Sequence, residues 1–512
     1  MTVLSSTRPK SGSSPTACLV AALVALLAFH RGALAAASPP FKGGLAFGRH
    51  EVGFETIVAE DRSRAFPAAT GLTRPRPVVI AVWYPATKGT GRMMQLGDYL
   101  LAEGTALSSA GLLDSSAKRR EEFFAEAGRR GADRGELDRL LALRSVARRG
   151  AGRLKRSFPV LLWAHTDTLA KAIPCEYLAS HGYVVVSTSV VGTFERDLDV
   201  GLSGAETSAR DLEFALAEVA ARGLAIPSRT AILGMSFGGL SEICHALRHP
   251  ELRAIVSLDG GGGSASGAAT VQQSAFFDPA RLTAPLLHLY QPEGADTAFF
   301  DALRYCRRTL VRFSGLRHAD FSGSGLLEER APRYFGPPTA DRGAPRTAVW
   351  KTVLDFLQAS FSDSRAASTA VPEIPAAMGE TRVIEPLPPP LRLEELRALV
   401  ARGGIPALEE AYRKRQERDA TPVSEDTCRK LGSWLLETRS REEAHRVFEM
   451  QLAMYPRSAR AHYSLGAAEL GLGDKTSATL HLIRALELLP EDSTVDAPTR
   501  RRIEKAAREA LQ

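Results

Sequence analysis

Cysteine is scarce in this chain: five residues in 512, at positions 18, 175, 244, 306 and 428. None falls in the close pairs that a zinc site or a thioredoxin-like redox centre requires, so neither chemistry is indicated. A membrane-length hydrophobic run is also missing. The apolar stretch from Ala17 to Phe29 is short for a bilayer crossing, which needs some twenty residues. Charge of one sign is nowhere concentrated. The formal net charge is +7, and the densest basic stretch, Lys118 to Arg156, is interleaved with Glu121, Glu122, Glu126, Asp133, Glu136 and Asp138. That mixture describes a solvated helical face and does not imply nucleic-acid binding.

The N-terminus has the three-part layout of an export signal: Arg8 and Lys10, the apolar run, then small residues through Ala37. Residues 1–37 are therefore expected to be a signal peptide, cleaved after Ala35 or Ala37, sending the protein to a periplasmic or extracellular compartment without a transmembrane span. Cys18 precedes the apolar run and is badly placed for lipid attachment. The four later cysteines allow one bridge in an oxidising compartment, with Cys175 and Cys244 read as buried thiols.

A length of 512 residues and 44% apolar composition predict two folded domains. Residues 38–365 form the first. Short β-type runs at Phe54–Ala59 and Val78–Tyr84 open it, and a helix-forming insertion occupies about 96–156. From Phe158 strand and helix alternate, which predicts an α/β domain with a mostly parallel sheet covered on both faces. Prolines at 372, 375, 386, 388, 389 and 390 mark a stiff linker over 366–390. In the remaining 391–512, Leu431-Gly432, Ala444, Phe448, Leu452 and Pro456 are answered by Leu465-Gly466, Ala478, Leu482, Leu486 and Pro490, each 34 residues later. This period resembles the tetratricopeptide repeat and predicts a small all-α domain whose helical surface suits a protein partner.

The strongest chemical signal is Gly234-Met235-Ser236-Phe237-Gly238, a G-x-S-x-G motif between a β-run and a helix. A serine hydroxyl is a weak nucleophile, so it must project from a tight turn toward a base, and glycines on either side relieve the crowding. Ser236 is the candidate nucleophile. His318, in a loop after the last apolar run and before the closing helix, is the candidate base. For the acid that orients it, Asp259 ends the strand-like Ala254–Leu258, while Glu293 and Asp296 follow the next one. His245, His249 and His288 fall on a helix or in a buried strand and suit structural roles.

With Val82-Trp83-Tyr84-Pro85, Pro159 to His165, Tyr177 to Tyr183, Leu258-Asp259 and His318-Ala319-Asp320-Phe321, these motifs resemble the platelet-activating-factor acetylhydrolase and dienelactone-hydrolase-like branch of the α/β-hydrolases over roughly Phe54 to Phe361. The resemblance implies an α/β-hydrolase fold with Asp259 as the acid, since acetylhydrolase relatives carry it on the strand after the nucleophile helix. It implies short-chain ester or lipid ester substrates and no cofactor. Dienelactone hydrolases proper use cysteine where this chain has Ser236. By position, the backbone N–H groups of Phe237 and Asp167 are the expected oxyanion donors. There the chain departs from the family, since Thr166-Asp167 replaces a glycine-rich turn and sets a carboxylate beside the oxyanion. That departure supports a second expectation: a hydrolase fold that has lost activity and binds a protein through its helical repeats.

Overall fold

The computed structural model describes residues 39–67, 72–164, 168–337, 342–362, 373–419, 421–492 and 495–512. The expected signal peptide lies outside them. The chain divides into two units: one takes residues up to 277, 284–300 and 309–383, the other 278–283, 301–308 and 384–512.

The first unit is an α/β fold. Its strands are β1 (Glu51–Pro67), β2 (Thr73–Ala86), β3 (Arg92–Gln95), β4 (Arg144–Arg149), β5 (Val160–Ala164), β6 (Val184–Thr188), β7 (Thr230–Met235), β8 (Ala254–Leu258), β9 (Leu286–Tyr290), β10 (Arg308–Phe313) and β11 (Gly379–Ile384). They form one sheet in the order β11-β10-β9-β8-β7-β5-β6-β2-β1-β4-β3. The central β6, β5, β7, β8 and β9 run parallel, and β2 joins β6 antiparallel. Every residue of β5, β6, β7 and β8 is buried, the mark of strands covered on both faces.

The helices of this unit are α1 (Leu96–Ser109), α2 (Lys118–Arg129), α3 (Arg134–Leu141), α4 (Thr168–Ser180), α5 (Leu202–Ala221), α6 (Gly238–Arg248), α7 (Ala265–Gln272), α8 (Ala298–Ala302), α9 (Pro332–Phe335) and α10 (Gly343–Phe361). Successive strand residues point to opposite faces, and this alternation sorts the helices. Leu161, Trp163, Ala231, Leu233 and Met235 share a core with Ile173 and Leu178 of α4 and Val349 and Leu357 of α10. There Trp163 stacks on Trp350 with ring centres 5.5 Å apart. Gly234 points the other way, against Glu242 of α6.

Two features depart from the sequence reading. The insertion is not purely helical, because it ends in β4, which pairs with β1 and β3 at the edge of the sheet. The interval read as linker contributes β11, the strand beyond β10. Proline spacing marked that interval as extended, and a short strand is one use of extended backbone.

A buried carboxyl ties the insertion to the core. Tyr99 Oη of α1 and Ser145 Oγ of β4 each donate to Glu176 of α4 at 2.6 Å, and the Val146 N–H donates at 2.9 Å. Trp83 Nε1 donates to Tyr99 Oη at 3.1 Å. Burial outweighs these donors and pushes Glu176 up to about 7.

The second unit is all-helical: α11 (Leu393–Gln416), α12 (Glu425–Thr438), α13 (Arg441–Met454), α14 (Ala459–Leu472), α15 (Lys475–Leu488) and α16 (Ala497–Ala510). The 34-residue spacing has a packing cause. A Cβ at Gly432 of α12 would stand 2.3 Å from the Phe448 ring of α13, and one at Gly466 of α14 would stand 3.0 Å from Leu482 of α15. Each helix pair closes at the same two positions of the repeat, as stacked helical hairpins require.

No helix among the described residues is long and apolar enough to cross a membrane. Cys175, Cys244, Cys306 and Cys428 are all buried and unbridged.

Candidate active site

Strand β7 ends at Met235, and the chain turns sharply through Ser236 into α6. Ser236 has φ 56°, and Asp259, at the matching end of β8, has φ 44°. Among the described residues these are the two non-glycine positions with positive φ. Such backbone is costly for side chains carrying a Cβ and persists only where the surroundings hold it. Here the hold is explicit: the Ser236 carbonyl accepts from Gly239 N at 2.9 Å and Gly261 N at 2.7 Å, while Asp259 N donates to Leu289 O at 2.7 Å. Because Met235 pairs with Leu258 in the β7–β8 ladder, Ser236 and Asp259 leave neighbouring strands side by side at their C-terminal ends.

Glycines around the turn serve close approach. A Cβ on Gly234 would lie 2.3 Å from Glu242 Oε2 and 2.4 Å from Gly238 O; one on Gly239 would lie 2.6 Å from Gly260 Cα. Gly260 packs backbone against backbone on Gly239 of α6, and residues 261–263 form a 3-10 turn against the side chains of Leu240, Ile243 and His288.

His318 opens the short 3-10 turn His318–Phe321 after β10. Its Nδ1 lies 2.6 Å from Asp259 Oδ2, and Asp259 Oδ1 accepts from Gln291 N at 3.3 Å. Since the carboxylate only accepts, Nδ1 carries the proton and Nε2 keeps its lone pair. The imidazole is 47% exposed and the Asp259 side chain 13%, so a largely covered carboxylate holds a solvent-facing ring.

The alternatives for the acid are placed elsewhere. Asp296 Oδ1 accepts from Ala298 N and caps α8, and Glu293 is exposed. No hydrogen bond joins Ser236 to His318 among the described residues. Asp167, with His165 and Thr166, lies outside them. Phe237 stands at the N-terminus of α6, where helix N–H groups and the dipole favour negative charge.

Two groups of residues escaped the sequence reading. The first fixes the His318 turn. Buried Asp320 accepts from Arg317 N at 2.7 Å and from Arg346 Nε of α10 at 2.8 Å, while Glu328 pairs with both Arg317 and Arg346. The second lies behind the Ser236 turn. Glu242 of α6 is fully buried against Gly234, and burial pushes its carboxyl well above the ordinary carboxylate range. Long-range pairing of this kind leaves no local motif. His288 is buried with its ring stacked on Tyr290 and Phe300, and burial lowers it to about 4.

The sequence matches no protein-family model and no curated protein. Among solved structures the chain is similar to a ferulic acid esterase from Streptomyces cinnamoneus, at 17% identity and a TM-score of 0.47, over 68% of this chain and 100% of that one.

Proposed function

We propose that this protein is an exported serine hydrolase that cleaves carboxylic esters through an acyl-enzyme. The observation carrying the reading is the 2.6 Å contact between His318 Nδ1 and Asp259 Oδ2, beside a serine held at positive φ on the adjoining strand. Ser236 Oγ attacks the ester carbonyl while His318 Nε2 takes its proton, and the neighbouring carboxylate stabilises the imidazolium. The proton then passes to the departing alkoxide. Water, deprotonated by the same imidazole, then attacks the acyl carbon, the bond to Ser236 Oγ breaks, and the proton returns to Oγ as the acid leaves. The N–H groups of Phe237 and Asp167 are the proposed donors to the oxyanion. The hydrogen bond from Ser236 to His318 forms with substrate, as such bonds tighten in the Michaelis complex.

The resemblance to the acetylhydrolase branch supports short acyl chains on a small-molecule or lipid alcohol, and the N-terminal layout of residues 1–37 supports export. The test is Ser236→Ala against a short-chain nitrophenyl ester. Turnover and fluorophosphonate labelling should both vanish; undiminished turnover by the variant would end the proposal. A parent chain that takes no label would favour the second reading, a protein-binding role for the helical repeats.

A further inference from the structure

Helices α5 and α6 lie side by side, and near the C-terminal end of α6 three side chains converge. Glu213 of α5, His245 of α6 and His249 at its C-cap each offer one ligand atom, and those atoms lie within 4.8 Å of one another. Among the described residues this is the one such group of three. His245 and His249 are four apart, the spacing that puts two imidazoles on one helix face.

What distinguishes the cluster is how the rings are held. His245 Nδ1 lies 3.2 Å from the Ala209 carbonyl of α5, and His249 Nδ1 lies 2.9 Å from Glu251 Oε1. Both partners are acceptors, so both Nδ1 atoms carry hydrogen and Nε2 is the nitrogen each ring has left to offer a ligand. His249 Nε2 lies 3.1 Å from Glu213 Oε1, a hydrogen-bond contact in which a metal ion would replace the hydrogen. A carbonyl on one ring and a carboxylate on the other is the outer arrangement that orients histidine ligands to a metal. The C-terminal end of a helix also favours a cation.

From this geometry we infer that Glu213, His245 and His249 form a binding site for a zinc-class divalent cation, with an open fourth position for water. Two imidazole nitrogens and one carboxylate oxygen suit zinc and not the all-oxygen cations magnesium or calcium. Tetrahedral ligands at zinc distances stand about 3.3 Å apart, so the site must contract. Glu213 and His249 are partly exposed and have room to turn. Arg248 shares the carboxylate, its Nε donating to Oε1 and its Nη2 lying 3.2 Å from Oε2, so a cation on Oε1 must displace the first contact while the second can stay. The bound ion would clasp α5 to α6 on the sheet face behind Ser236, independently of the esterase reading.

The experiment is calorimetric titration of the chelator-treated full chain with zinc chloride. One equivalent should bind and raise Tm, and cobalt(II) should give the visible absorption of a four-coordinate site. His249→Gln and Glu213→Gln change partly exposed side chains, and each should weaken zinc binding at least about tenfold; Glu251→Gln should weaken it less. Circular dichroism spectra matching the parent separate lost binding from lost fold. A parent chain that takes up no zinc, or unaltered uptake by either ligand variant, overturns the site.

Discussion

Asp259 and Glu242 are both carboxyl groups close to the Ser236 turn, and their surroundings give them opposite chemistry. Asp259 faces an imidazole and a backbone N–H and acts as an acceptor. Under the proposed mechanism, Asp259→Asn should lower kcat by on the order of a thousandfold or more while KM moves little, because the amide favours the wrong imidazole tautomer. Steady-state kinetics on the nitrophenyl ester check this. Burial pushes the Glu242 carboxyl upward, toward its uncharged form, so Glu242→Gln should leave Tm nearly unchanged. Glu242→Ala, which opens a void beneath the turn, should cost about 2–4 kcal/mol in denaturant unfolding. At this scale the sequence was legible where chemistry is local. The G-x-S-x-G pentapeptide announces Ser236, whereas nothing near residue 242 announces that its carboxyl rests on Gly234.

Between residues and molecule, the elements that matter are short turns. Ser236, Asp259 and His318 each sit just past the end of a strand, and each turn is clamped by groups distant in sequence. The His318 turn depends on Asp320 held by Arg346, twenty-six residues later. Asp320→Ala leaves the buried Arg346 with one fewer carboxylate and should destabilise the fold by about 3–5 kcal/mol. Kinetics at a temperature where the variant is still folded should show a reduced kcat, because the imidazole loses its fixed approach. Gly239→Ala forces α6 away from Gly260 and should lower both Tm and turnover. Strand and helix positions were readable from alternation and periodicity, since β8 and β9 fall where apolar β-type runs predict them. The clamps were not, for an ion pair between a turn and a helix has no periodicity. β4 was absorbed into a helical insertion because Arg144–Arg149 is too polar and short to announce a strand.

For the molecule as a whole, stability should carry the signature of Glu176. Its ordinary value of 4.5 rises to about 7 in the folded chain, so between those values the folded state binds more protons than the unfolded one. The contribution is fully present below about pH 4.5 and is lost as pH climbs toward 7, on the order of 3 kcal/mol in all. Denaturant midpoints measured across that interval should fall with rising pH, and Glu176→Gln should flatten the slope. The division into an α/β unit and a helical unit was visible beforehand in the switch from strand–helix alternation to a 34-residue period. Where the first unit ends was less visible, because proline density at 372–390 conceals the six residues of β11.

Placement of β11 bears on how the α/β unit can be isolated. A chain cut after Phe361, where the last helix of that unit stops, would strip the cover from β10 and leave its N–H and C=O groups facing solvent. Bare margins of that kind recruit other chains. Such a fragment should self-associate in light scattering, whereas one carried through Ile384 keeps its border closed.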